Sequence, residues 1–158
     1  MGEAVNDERV SDDAIERLYR EDGMRLWRAI LAYCRDPEVA NDATAEAFAG
    51  AISDRGRIRD PKAWVWKVAF RVADDELAHK RRTIPLPQDG HYEMDDPDVM
   101  TTLAVLPDRQ RATIILHYYG DLTTREIARI LGCSQATVGV HLHRGRNKLR
   151  ELLGDDDG

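Results

Sequence analysis

The stretch LTTREIARILGCSQATVGVHLHRGRNKLRELL, Leu122 to Leu153, decides the fold. Thr123 or Thr124 can cap a first helix whose apolar stripe is Ile127, Ala128, Ile130 and Leu131. Gly132-Cys133-Ser134 makes a turn, because glycine takes the left-handed backbone at little cost and Ser134 caps whatever follows. Val138, Leu142, Leu149 and Leu152/Leu153 then recur at helical spacing, while Arg144, Arg146, Lys148 and Arg150 leave the other faces cationic. A short helix, a tight turn and a longer basic helix make a helix-turn-helix, the shape that fits a DNA major groove.

Outward from that stretch the chain keeps a helical rhythm with hardly a strand signal. Ser11 or Asp12 opens a helix with Ile15, Leu18, Tyr19, Leu26, Trp27, Ile30 and Leu31 as apolar positions, and Gly23 is a candidate break in it. Asp36-Pro37 and Asp60-Pro61 each set a capping carboxylate before a first-turn proline. The helices they open carry Val39, Ala43, Ala47, Phe48, Ala51 and Ile52, then Val65, Val68, Ala69, Val72, Ala73 and Leu77, the latter running to about Arg82. Trp66, outside that stripe, reads as the more exposed indole of its helix. Residues 83–98, with Pro85, Pro87, Gly90 and Pro97 among acidic side chains, read as a flexible linker. A short helix near Val99–Leu106 and another from Pro107 to Tyr119 lead into the helix-turn-helix. The expectation is an all-α protein of two small bundles, 11–82 and 99–153, joined by the acidic linker 83–98.

A net charge of −6 over 158 residues argues against nucleic acid until it is divided along the chain. Residues 55–82 hold 9 basic and 4 acidic side chains, and residues 107–153 hold 8 and 4. Residues 1–54 hold 6 and 13, residues 83–106 hold none and 5, and Asp155-Asp156-Asp157 close the chain. Two cationic segments separated by an acidic one fit two DNA-facing surfaces. No apolar run approaches the ~20 residues a membrane helix needs. The acidic start lacks the regions of a signal peptide, and two distant cysteines, Cys34 and Cys133, suit a reducing compartment, so a cytoplasmic protein is expected. His141 and His143, two apart on a helix, face different ways, and no Cys-x-x-Cys or His-x-x-x-His pair exists, so no metal is expected. Phosphate loops, dinucleotide turns and nucleophile elbows are missing as well, so neither an enzyme nor a cofactor is expected.

The run Leu106-Pro107-Asp108-Arg109-Gln110-Arg111, Leu116-His117-Tyr118-Tyr119-Gly120, Glu126-Ile127-Ala128, Leu131-Gly132-Cys133-Ser134, Thr137-Val138 and Leu142-His143-Arg144-Gly145-Arg146 resembles region 4 of the extracytoplasmic-function sigma factors, which reads the −35 promoter element. Ala40 to Phe48 resembles region 2.2 of that family, and Ala63-Trp64, Val68-Ala69, Asp75 and Arg81-Arg82 resemble regions 2.3 to 2.4. Together the matches span nearly the whole chain.

The resemblance implies a bacterial sigma factor that binds core RNA polymerase, through its beta and beta-prime subunits, and directs transcription initiation at −10 and −35 elements. For the −35 element it points to Thr124, Arg125, Ser134, Gln135, Thr137, His141, His143, Arg144 and Arg146. For the −10 element it points to Arg55, Arg57, Arg59, Lys62, Trp64, Lys67 and Arg71, cations and an indole suited to tracking an unstacked single strand. Asp42, Glu46 and Phe48 would meet the polymerase, two carboxylates one turn apart beside an apolar anchor. An anti-sigma factor is a further partner common in the family. The chain departs from the family at Gly139, Val140 and His141, where Lys or Arg, Ser and Arg are usual, and at Arg71, which stands for an asparagine. A stand-alone helix-turn-helix regulator is the alternative, and Gly139 and Val140 favour a further one, a sigma-like interaction protein that no longer reads promoters.

Overall fold

The computed structural model describes residues 11–83 and 97–154, and every described element is helical. Helices α1 (Asp12–Cys34), α2 (Pro37–Ser53) and α3 (Pro61–Thr83) form the first bundle, with a 3-10 turn at Arg55–Arg57 between α2 and α3. Helices α4 (Pro97–Val105), α5 (Asp108–Tyr118), α6 (Thr124–Leu131) and α7 (Gln135–Leu153) form the second. The interior of the expected linker, 84–96, lies outside the described residues.

The caps are where the chemistry puts them. Ser11 accepts from the Ala14 N–H at 3.1 Å, and Asp36 accepts from the Glu38 and Val39 N–H groups with Pro37 in the first turn of α2. Thr123 and Glu126 form a reciprocal capping box at the start of α6. Gly132, at φ 70°, ends α6 in the left-handed conformation. Helix α1 runs unbroken through Gly23, which is buried against the Tyr19 ring.

The first core gathers Leu26, Ile30 and Leu31 of α1, Ala43, Ala47 and Ala51 of α2, and Val65, Trp66, Ala69 and Phe70 of α3. Small alanines along α2 let it lie close to both neighbours, while each buried leucine or isoleucine contributes roughly 1.5–3 kcal/mol. Two polar ties fix the bundle. The Trp66 Nε1–H donates to Asp22 at 2.6 Å, and the Tyr33 hydroxyl donates to Asp74 at 2.6 Å. Trp66 is therefore wholly buried, which reverses the expectation of an exposed indole, and the half-buried Trp64 is the accessible one.

The second core is built from Leu103, Leu106, Ala112, Ile115, Leu116, Ile127, Val138 and Leu142. Gly145 lets α7 press on α5, since a Cβ there would lie 3.0 Å from Ile114 Cγ1. The two cores are continuous. α1 and α3 of the first bundle pack against α4, α5 and α6 of the second, a contact that segment-by-segment reading of the sequence leaves open.

Candidate nucleic-acid interface

Helix α7 buries Val138, Leu142 and Gly145. At about 100° per residue the opposite side carries Ala136, Val140, His143, Arg144 and Asn147. His143 and Arg144 are exposed, and Val140 keeps 45% of its surface in solvent at the centre of this face. Asn147 contacts His143 at 3.2 Å and accepts from Arg150 at 3.4 Å, so the three side chains form one polar strip. Arg146 is turned to the flank, where its Nε–H donates to the Tyr118 hydroxyl at 2.7 Å and its guanidinium lies 5.5 Å from that ring's centroid. His141 is half-buried.

At the leading end of α7, Ser134 Oγ accepts from the Thr137 N–H at 3.1 Å and donates to the Thr137 hydroxyl at 2.9 Å. The cap thus occupies two side chains that sequence reading assigns to DNA. Gln135 is exposed, and the Thr124 hydroxyl donates to its Oε1 at 3.4 Å across the α6–α7 turn. Arg125, Gln135 and Arg129 line a shallow depression of about 330 Å³ with Cys133 on its floor. Arg129 was not picked out from sequence, although its place four residues after Arg125 on a short helix was the available signal.

The second cationic surface follows α2. Arg57 and Arg59 are exposed and, with Lys62, Lys67 and Arg71, form no ion pair among the described residues. Arg55 differs: its Nε pairs with Asp12 at 3.2 Å and its Nη1 donates to the Ile52 carbonyl at 2.7 Å. Trp64, Lys67 and Arg71 share one side of α3, turned away from the fully buried Trp66. The Trp64 ring passes over Gly50 of α2, where a Cβ would come within 2.9 Å of Cη2, so this glycine makes room for the indole.

On α2, Asp42 and Glu46 are exposed one turn apart. Phe48 is only 8% exposed and meets Tyr19 edge-on with ring centroids 5.1 Å apart. It is a wall rather than a projecting anchor. The wall belongs to an apolar groove of about 1190 Å³ between α1 and α2, lined also by Ile15, Tyr19, Met24, Trp27 and Ile52. Tyr19, Met24 and Ile52 stand 48–61% exposed along it. The sequence stripe contained Tyr19 and Ile52 as core positions, and Met24 was not singled out.

No described helix is long and apolar enough to cross a membrane. Residues 98–149 match the family described as Sigma-70, region 4. The chain is 31% identical over 145 residues to RNA polymerase sigma factor SigV of Bacillus subtilis, covering 84% of this chain and 86% of that one. It is also 31% identical over 155 residues to ECF RNA polymerase sigma factor SigL of Mycobacterium tuberculosis, covering 86% of each. Among solved structures, the sigma factor RpoE of Bartonella quintana, crystallised with the anti-sigma factor NepR, has a similar fold, with a TM-score of 0.76 at 20% identity over 92% of this chain and 99% of that chain.

Proposed function

This chain belongs to the extracytoplasmic-function RNA polymerase sigma factors, and on that premise we propose how its surfaces divide the work. As a sigma factor it binds core RNA polymerase and directs transcription initiation at promoters. The units are residues 11–82 for polymerase and the −10 element, 83–98 as tether, and 99–153 for the −35 element. It works in the cytoplasm beside the polymerase, and by binding and strand separation rather than by bond chemistry.

In the second unit the outer face of α7 enters the major groove. Arg144 and Gln135 have side chains that can make bidentate contacts to guanine and adenine edges, and Val140 suits a thymine methyl. Thr124, Arg125, His141, His143 and Arg146 flank them on the phosphates, and Ser134 and Thr137 act through the helix cap. Val140 and the bare Gly139 reduce side-chain readout at the centre, so phosphate contacts and DNA shape carry more of the −35 preference here than is usual.

In the first unit Arg57, Arg59, Lys62, Lys67 and Arg71 track the backbone of the displaced −10 strand, and Trp64 offers a stacking surface to an unpaired base. Arg55 joins them on release from Asp12. Asp42 and Glu46 meet basic residues of the polymerase, with the groove walled by Phe48 taking an apolar side chain beside them.

The observation that carries this reading is the coexistence, in one chain, of a capped helix-turn-helix with an exposed cationic face and a second helix bearing cations that form no ion pair among the described residues, beside an accessible indole. Run-off transcription with purified core polymerase, with and without the chain, on a promoter library tests it. Chain-dependent transcripts sharing two spaced elements are expected, and charge reversal at Asp42 and Glu46 is expected to abolish them together with co-purification of core. No chain-dependent transcript, or full co-purification after that reversal, overturns it.

A further inference from the structure

Gly50 stands inside α2 without the positive φ that would call for glycine, and its carbonyl accepts from the N–H of the C-cap Asp54 at 2.8 Å. Glycine in a helix interior is less stable than alanine, so its presence here has another cause. That cause is the Trp64 ring. A Cβ at Gly50 would lie 2.9 Å from Trp64 Cη2, 3.6 Å from Cζ3 and 4.0 Å from Cζ2. These atoms form the end of the six-membered ring remote from the pyrrole. The indole is therefore seated on bare α2 backbone by the end away from its N–H.

The three tryptophans differ in what their N–H groups do. Trp27 donates to Asn41 Oδ1 at 2.7 Å and Trp66 to Asp22 at 2.6 Å. Trp64 makes no hydrogen bond among the described residues, and its half-buried ring keeps the N–H in contact with solvent. An indole N–H at a packed site ordinarily finds an acceptor. Any acceptor for this one comes from outside the described residues. Lys67 and Arg71 follow one and two turns later on the same side of α3, and Arg57 and Arg59 precede it, none in an ion pair among the described residues. A strand whose phosphates follow those cations passes the indole.

We propose that Gly50 is a positioning residue: it seats the far end of the Trp64 ring so that the N–H is aimed at an acceptor on an unpaired base of the −10 strand. The inference rests on the −10 reading above and adds a hydrogen bond to the stacking assigned there. Alanine at 50 sets a methyl carbon 2.9 Å from the ring, where ordinary carbon contacts stand at about 3.5–4.0 Å, so the ring end retreats by roughly 0.6 Å or more. The indole turns, and the N–H loses the alignment on which a hydrogen bond depends steeply.

The first test needs neither polymerase nor DNA. In NMR spectra of the isotope-labelled indoles of the free chain, the Trp66 N–H is expected to exchange slowly with water and the Trp64 N–H fast. Gly50→Ala is expected to move the Trp64 signal and leave that of Trp66. A Trp64 N–H as protected as that of Trp66, or one unmoved by Gly50→Ala, overturns the geometry.

The second test measures binding of the holoenzyme to promoter DNA recovered from the run-off library and made single-stranded across its −10 element. Trp64→Ala removes the stacking surface and is expected to weaken binding about 5- to 150-fold. Trp64→Phe keeps a stacking ring, and it and Gly50→Ala each lose one hydrogen bond, an expected loss of about two- to tenfold. Phenylalanine lacks the ring atoms that meet Gly50, so adding Gly50→Ala to Trp64→Phe is expected to change nothing further. Additive losses, or wild-type affinity in Gly50→Ala, overturn the positioning role. Because alanine is the better helix former, the Gly50→Ala chain is expected to keep or raise its thermal midpoint while binding less well. A midpoint that falls with the affinity assigns the effect to α2 itself and overturns it too. An abasic scan of the strand is expected to find one nucleotide whose missing base makes Gly50→Ala silent. A loss that persists at every abasic position assigns the N–H to the sugar–phosphate backbone and overturns base reading. A chain that drives no library transcript sinks the −10 reading, while the seat of Trp64 on Gly50 stands or falls on the first test.

Discussion

Replacing Gly139 by alanine is expected to stabilise the protein, and the size of the effect reports how the two bundles unfold. Gly139 is the fifth residue of α7, exposed, and without the positive φ that would require glycine. A Cβ built there meets nothing within 4 Å. Alanine therefore adds no clash and removes the entropy that a glycine loses in a helix interior, a gain of about 0.4–1 kcal/mol. If the bundles unfold as one unit of this size, each kcal/mol raises Tm by roughly 2–4 °C; if the second bundle melts alone, by roughly 4–8 °C. Scanning calorimetry reads both the shift and the number of transitions, and the core continuous between the bundles favours the single transition. Gly139→Arg keeps the backbone gain and adds a cation beside Val140. With one more phosphate neutralised, the slope of log affinity against log salt for promoter DNA steepens by about 0.9. A lower Tm for Gly139→Ala would refute the helical geometry assigned here, and an unchanged salt slope for Gly139→Arg would remove this edge of α7 from the DNA.

Gly145→Val is expected to act in the opposite direction, costing roughly 1–3 kcal/mol in a denaturant titration because its Cβ would press on Ile114; an unchanged midpoint would mean that α5 and α7 part freely. Thiol labelling should find Cys133 reactive and Cys34 inert, since burial, opposed by Lys80, pushes the Cys34 thiol up to about 12. Its contribution to stability is complete below the ordinary thiol pKa and is lost as pH rises from there to about 12, and Cys34 labelling near neutral pH without denaturant refutes its burial. Arg144→Ala should weaken −35 protection by the holoenzyme at matched salt, and a footprint as strong as wild type removes its assigned contact. The chain without polymerase is expected to bind promoter duplex only weakly, in the range of non-specific binders (about 10⁻⁴–10⁻⁶ M), and nanomolar sequence-specific binding would contradict that.

Most element boundaries were legible because local chemistry sets them. Asp36-Pro37, Asp60-Pro61, Thr123 with Glu126, and Gly132-Cys133-Ser134 each satisfy helix-end groups within a few residues, and these ends stand where the sequence places them. What stayed hidden depends on partners distant in sequence. Trp66 reads as the outlying indole of α3 until Asp22, 44 residues earlier, takes its N–H and Gly120 closes over it. Nothing near Arg111 in the sequence reveals that it will donate to the Tyr33 carbonyl at the end of α1, 78 residues earlier. Phe48, Tyr19 and Ile52 fit a helical stripe equally well as core or as groove, and only the angle between α1 and α2 separates the buried ring from its two exposed neighbours.

The acidic balance of the chain becomes intelligible once its cations are seen in place. One arginine, Arg111, is spent inside the protein on carbonyls and Asp108, while the exposed Arg146 and Arg55 each also hold a neighbour, Tyr118 and Asp12. The cations we propose for DNA sit on α3 and its preceding turn and on the outer face and flank of α7, each group small. Either group alone binds weakly and is screened by salt. Tethering changes the arithmetic, because once the polymerase holds the first bundle the second meets its element at an effective concentration set by the 84–96 segment rather than by free protein. Two weak contacts then multiply into a selective one, whereas a strongly basic chain would bind every phosphate backbone before it met a polymerase.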